Sequence, residues 1–86
     1  MKSVNIKITN PIYLHAHMIK QVTQEAGKYT SDVYIIAGGN KGNAKSLVSL
    51  MSTLGRIKLP CKIEIRAEGW DDDAKAVEAI ANIFKH

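Results

Sequence analysis

Cysteine is nearly absent: 86 residues hold one, Cys61. An intrachain disulfide is therefore impossible, and no cysteine cluster within one chain can hold a metal. Cys61 stands in an alternating, strand-like run, where it reads as a buried structural thiol. Long apolar runs are also missing. The longest span a few residues, far short of the roughly 20 that a membrane helix needs. The opening "MKSVNIKITN" lacks the apolar centre of a secretory signal, so the expected location is cytoplasmic. Internal repeats, linkers and low-complexity tracts are absent as well. What remains is ordinary: 45% hydrophobic and 23% charged residues suit a globular protein, and the length suits one small domain over residues 1–86. The net charge of +4 favours acidic partners, whether proteins, phosphates or nucleic acid, without choosing among them.

Hydrophobic periodicity divides the chain. "SVNIKIT" alternates Val4, Ile6 and Ile8 with polar residues, the signature of a strand with one buried face. Ile19, Val22, Thr23 and Ala26 then recur at helical spacing, which predicts a first helix over 16–27 with Gly27 and Lys28 as its stop. "DVYIIA" (32–37) reads as a second strand, and "GGNKGN" (38–43) as a glycine-rich turn leading into a short third one. Ser46 is a natural N-cap for a helix in which Leu47, Leu50, Met51 and Leu54 share a face before Gly55. "CKIEIRAEG" (61–69) puts Cys61, Ile63, Ile65 and Ala67 inward and charges outward. Three aspartates, suited to the positive end of a helix dipole, open a last helix with Ala74, Val77, Ile80, Ala81 and Phe84 on one face and Lys85 at its end. The order β-α-β-β-α-β-α predicts an α+β open-faced sandwich: a four-stranded antiparallel sheet, wet on one side, with three helices on the other.

Chemistry concentrates in "PIYLHAHMIKQ" (11–21), where His15 and His17 stand two positions apart. With the helix starting at Ala16, His15 is its N-cap, beside backbone amides that lack an intrahelical partner. Such an end binds anions and disfavours a nearby positive charge, which keeps an imidazole neutral and nucleophilic, and a phosphoryl group carried there would sit among the amides. The plain alternative is a surface histidine with no chemistry. A metal site needs further ligands, and only Met18 and the terminal His86 are conspicuous, so no metal or other cofactor is expected. "GNKG" (39–42) matches a loop by which some small RNA-binding domains clamp a backbone, but that loop joins two helices whereas this one follows a strand; no nucleic-acid partner is expected. Neither a Ser-His-Asp nor a Cys-His set can be assigned.

Taken together, "LHAHM" at the first helix, Lys45-Ser46-Leu47 at the second, "MSTLG" (51–55) and "IEIRAEG" (63–69) before an acidic helix start resemble the HPr family, the histidine-containing phosphocarriers of the bacterial sugar phosphotransferase system. The resemblance covers nearly the whole chain. It implies that His15 receives a phosphoryl group on Nδ1 from enzyme I, itself charged by phosphoenolpyruvate, and passes it to a IIA component. It implies a carrier rather than an independent catalyst, with the amides of Ala16 and His17 holding the phosphate. It also implies an apolar docking patch of Leu47, Val48 and Met51 bordered by Lys20 and Lys45, whose charge would speed encounter with acidic partners. In many Gram-positive relatives the serine corresponding to Ser46 is phosphorylated by a dedicated kinase and signals to a transcriptional regulator; the added charge is tolerated at a helix N-terminus.

The family motif Gly-Ile/Leu-His-Ala-Arg-Pro-Ala here reads Tyr13-Leu14-His15-Ala16-His17-Met18-Ile19. Arginine offers a permanent charge and a planar fork of donors, whereas His17 offers a charge only when protonated. Transfer is therefore expected to be slower or more pH-dependent than in an ordinary member. Val48-Ser49 also replaces the Met-Gly of Gram-positive relatives, which bears on kinase recognition. A second reading is a divergent regulatory module that binds partners through the apolar patch and Ser46 with little phosphotransfer.

Overall fold

The computed structural model describes residues 1–84; the helix end expected at Lys85 and the terminal His86 lie outside the described residues. The chain forms β1 (Lys2–Ile8), a 3₁₀ turn (Pro11–Leu14), α1 (Ala16–Ala26), β2 (Asp32–Ala37), β3 (Asn40–Asn43), α2 (Leu47–Leu54), β4 (Cys61–Glu68) and α3 (Asp73–Ile83). All strand pairs are antiparallel in the order β1-β4-β2-β3, so the last strand enters the middle of the sheet. This is the expected α+β sandwich.

Alternation decides which side is covered. Ile8, Val33, Ile35, Ala37, Ile63, Ile65 and Ala67 are buried beneath the helices, while their neighbours in sequence form the open face. Above them Ile19, Val22 and Ala26 of α1 and Leu50 and Leu54 of α2 complete one core. α3 lies over β1 and β4, α2 over β2 and β3, and α1 packs against both helices.

Four expectations change in detail. The third strand does not follow "GGNKGN"; it is Asn40–Asn43 itself. The turn shrinks to Gly38 and Gly39, whose φ values of 57° and 81° match the tight hairpin turn whose twist suits its strands. Gly42 pairs with Ile35 under α2, where a Cβ would stand 2.5 Å from the Thr53 hydroxyl oxygen, so a glycine is what the close approach requires. On α2, Leu50, Thr53 and Leu54 are buried while Leu47 and Met51 are exposed, because the helix rests on β3 by its other side. On α3, Ala76 rather than Ala74 joins Val77, Ile80, Ala81 and Phe84 in the core, since the helix starts only at Asp73. Cys61 is half-buried rather than buried, because it is the first residue of β4, opposite the last of β1.

The aspartate run divides its labour. Asp73 occupies the first turn of α3, but the Asp72 carboxylate turns away and accepts hydrogen bonds from the amides of Thr30 (2.6 Å) and Ser31 (3.0 Å) and from the Ser31 hydroxyl (2.5 Å). The start of β2 is thereby tied to the start of α3 across 41 residues of sequence.

Candidate functional site

The approach to His15 is built from Asn10. Its side-chain oxygen accepts from the Ile12 amide at 3.0 Å and starts the 3₁₀ turn, in which Pro11 takes a position that needs no amide hydrogen. Tyr13 drops its ring into the core, 5.7 Å between centroids from Phe84 at the end of α3. Ile12 is left exposed beside the histidine. His15 itself has extended backbone (φ −75°, ψ 144°) and caps α1 with its main chain: its carbonyl accepts from the amides of Met18 (3.0 Å) and Ile19 (3.1 Å).

Two features of this cap bear on chemistry. The His15 side chain makes no capping hydrogen bond, so the exposed imidazole is not committed to structure. The amides of Ala16 and His17, first and second in the helix, have no partner among the described residues, as the geometry of a helix start dictates. An anion held by His15 meets two free donors and the positive end of the α1 dipole. Met18, standing where the family has proline, has an amide and uses it on His15, which firms the first turn. His17 is exposed on that same turn.

The proposed docking residues lie along α2, where Leu47, Val48 and Met51 are 39%, 80% and 44% exposed. The start of α2 sits by the start of β2, because the Ala44 amide donates to the Val33 carbonyl. Ile57, just past its end, lies against Gly38 at the other end of β2. α2 therefore runs antiparallel to α1, and Met51 stands about 6 Å further toward the histidine end than Leu47. Lys20 projects from the second turn of α1. Lys45 borders the far end of the patch: its ammonium donates to the Tyr29 carbonyl (2.8 Å) beyond the end of α1, roughly 16 Å of helix from His15. Ser46 caps α2, its hydroxyl oxygen accepting from the Ser49 amide at 3.2 Å. Among the described residues no three His, Cys, Asp or Glu side chains converge as a metal site, and no helix is long and apolar enough to cross a membrane.

The sequence model of the family described as the PTS HPr component phosphorylation site matches residues 2–86. The chain belongs to the HPr family. Over 86 residues it is 35% identical to phosphocarrier protein HPr of Mycoplasma pneumoniae, covering 99% of this chain and 94% of that one. HPr-C-His from Thermoanaerobacter tengcongensis superposes with a TM-score of 0.86 at 32% identity, over 99% of this chain and 92% of that one. The Bacillus subtilis catabolite repression protein Crh superposes at 0.73 with 30% identity, over 95% and 86% of the two chains. As an HPr-family member the chain is a phosphocarrier of the sugar phosphotransferase system, taking a phosphoryl group from enzyme I to a IIA component. It is a carrier rather than a catalyst.

Tyr13, Ile12 and Asn10 carry no role in the sequence reading, yet they set the histidine's position. The signal for Tyr13 was present, since a large aromatic in place of the family's glycine needs somewhere to go. Nothing in sequence spacing announces its partner Phe84, 71 positions away.

Proposed function

We propose that His15 is the residue that carries the phosphoryl group. Its Nδ1 lone pair attacks the phosphorus held by enzyme I; the new N–P bond forms as the bond to the donor breaks, and reversal on a IIA component discharges it. The observation that carries this reading is the uncommitted imidazole at a helix start beside the free amides of Ala16 and His17. Those amides hold the phosphoryl oxygens, and His17 adds positive charge when protonated. Leu47, Val48 and Met51, with Ile12, form the apolar surface on which enzyme I and IIA proteins dock in turn, and Lys20 and Lys45 attract their acidic rims. The setting is cytoplasmic, and no cofactor is needed.

Incubation with phosphoenolpyruvate and enzyme I, followed by intact mass measurement, tests the assignment. The expected result is one acid-labile phosphoryl group on the parent chain and none on His15→Ala. Uptake that survives His15→Ala overturns the assignment.

Similarity to Crh keeps a second reading in play, in which the same patch serves a regulatory partner. Ser46 then takes a phosphate from a serine kinase and presents it to a transcriptional regulator; its place at the α2 cap accommodates the added charge. A parent chain that stays unphosphorylated with enzyme I but gains an acid-stable phosphate on Ser46 with a serine kinase would select this reading.

A further inference from the structure

We propose that the free edge of β1 pairs with β1 of a second copy of this chain, joining two four-stranded sheets into one. The sheet has two edges, β1 and β3, and they are finished differently. At the β3 edge the outward amide of Asn43 donates to the Ser49 hydroxyl at 2.9 Å, and the Asn43 carbonyl accepts from the Ser46 amide at 3.0 Å. The β1 edge has no such cover among the described residues. Its outward groups follow from the hairpin. Across a two-residue turn the closing pair, Ala37 and Asn40, is hydrogen-bonded; alternation then turns the main chains of Tyr34 and Ile36 toward β4 and those of Ile63 and Ile65 toward β1. Val4 and Ile6 answer them, which leaves the amides and carbonyls of Ser3, Asn5 and Lys7 facing outward.

The order of residues in β1 selects a second copy as the occupant. Asn5 is the midpoint of this seven-residue strand, so a twofold axis through it pairs the strand with itself over its full length. Asn5 then meets Asn5, Ser3 meets Lys7 and Val4 meets Ile6: polar residues face polar ones, apolar face apolar, and each outward amide faces an outward carbonyl. A lysine ordinarily guards a sheet edge, but in this register Lys7 meets a serine rather than its own charge. Val4 and Ile6 are also the two apolar side chains of β1 left half-buried on the helix side. Beside Val4, Ala74, Val77 and Ala81 of α3 leave a groove of about 300 Å³, rimmed by Lys2 and Glu78, one charge of each sign. The partner's Ile6 arrives at this groove. Because α3 lies over β1 and β4 alike, the two α3 helices come within about 10 Å of each other, the spacing of packed helices, and close the upper layer of the interface. α2 with its apolar patch lies over β2 and β3, on the other side of the sheet's midline, and stays open in such a dimer.

Sedimentation velocity of the parent from about 10 μM to about 1 mM should show its mass rising toward that of a dimer. The rise should be steeper at about 0.5 M salt, since two chains of net charge +4 repel each other when unscreened. Asn5→Pro deletes an outward amide and keeps every hydrogen bond to β4, so it should weaken the dimer by about thirtyfold, two hydrogen bonds lost per interface, with the melting temperature at about 10 μM near the parent's. Cysteines placed in a Cys61→Ser background read the register without depending on that variant. Asn5→Cys brings two Cα atoms about 5.5 Å apart across the axis, within reach of a disulfide, and should give a covalent dimer on mild oxidation. Ser3→Cys leaves them about 14 Å apart and should not. A parent that stays monomeric at about 1 mM, a dimer untouched by a folded Asn5→Pro, or cross-linking through Ser3→Cys as readily as through Asn5→Cys would each overturn the proposal.

Discussion

At both ends of this molecule, pairs of backbone amides face a demand for negative charge, and the two ends meet it differently. Thr30 and Ser31, where α1 gives way to β2, are served by the chain's own Asp72, which also takes the Ser31 hydroxyl. Ala16 and His17, where α1 begins, are served by nothing among the described residues. The first arrangement is a clamp, with its carboxylate supplied in advance and its geometry closed. The second is a pair of backbone donors at a helix start, the arrangement that suits an anion which arrives and leaves. Surrounding charge follows the same division. Asp32, Glu68 and the aspartate run mingle with lysines at the clamped end, whereas Lys7, Arg56, Lys58 and Lys62 stand at the histidine end without a carboxylate partner among the described residues.

The largest expected effect comes from loosening the open end. Tyr13 is 6% exposed and packs its ring on Phe84, so Tyr13→Ala removes most of a buried aromatic and should cost about 3 kcal/mol of stability. Because that ring also holds the turn that presents His15, phosphoryl uptake should fall even where the variant is fully folded. Tyr13→Phe keeps the ring and should restore both. Chemical denaturation and the uptake rate check the pair, and a variant that loses stability but transfers at the parent rate would show that the turn positions itself without the ring.

The closed end is broken more gently. Ser31→Ala removes one donor from Asp72 and leaves two, so it should cost less stability than Tyr13→Ala. It also bears on acid stability. The Ser31 hydroxyl, with the Thr30 amide next, holds the Asp72 carboxyl below the usual carboxylate range. A carboxyl depressed on folding contributes stability that is present above its unfolded value near 3.8 and is lost as pH falls through the lower folded value. Ser31→Ala should narrow that window, so the gap between variant and parent measured by denaturation is full at neutral pH and closes below about pH 4. A gap constant across this range would mean that the hydroxyl contributes by packing alone.

Most of the scaffold was legible from period alone, because alternation in "SVNIKIT" and "CKIEIRAEG" and the apolar spacing of α1 depend only on neighbours a few residues apart. The edges were less legible where tertiary contact decides. Gly42 reads as loop until Thr53 arrives above it, and Ala76 rather than Ala74 is buried because α3 starts only at Asp73. At the site, the place of His15 at a helix start follows from sequence, since the cap sets where amides go unpaired. The clamp does not follow, because three consecutive aspartates look alike until the fold brings one of them to Ser31.

The finest test of the open end concerns His17, where a titratable ring stands in the family's arginine position. A guanidinium there would bring a permanent charge and a planar fork of donors, whereas the imidazole offers at most one well-aimed donor. His17→Arg should therefore raise the rate of phosphoryl uptake by about fivefold, the worth of one charge-assisted hydrogen bond partly exposed to water. His17 is exposed, so the melting temperatures should match, and an uptake rate unchanged by the substitution assigns the work of holding the phosphate to the amides of Ala16 and His17 without help from the ring.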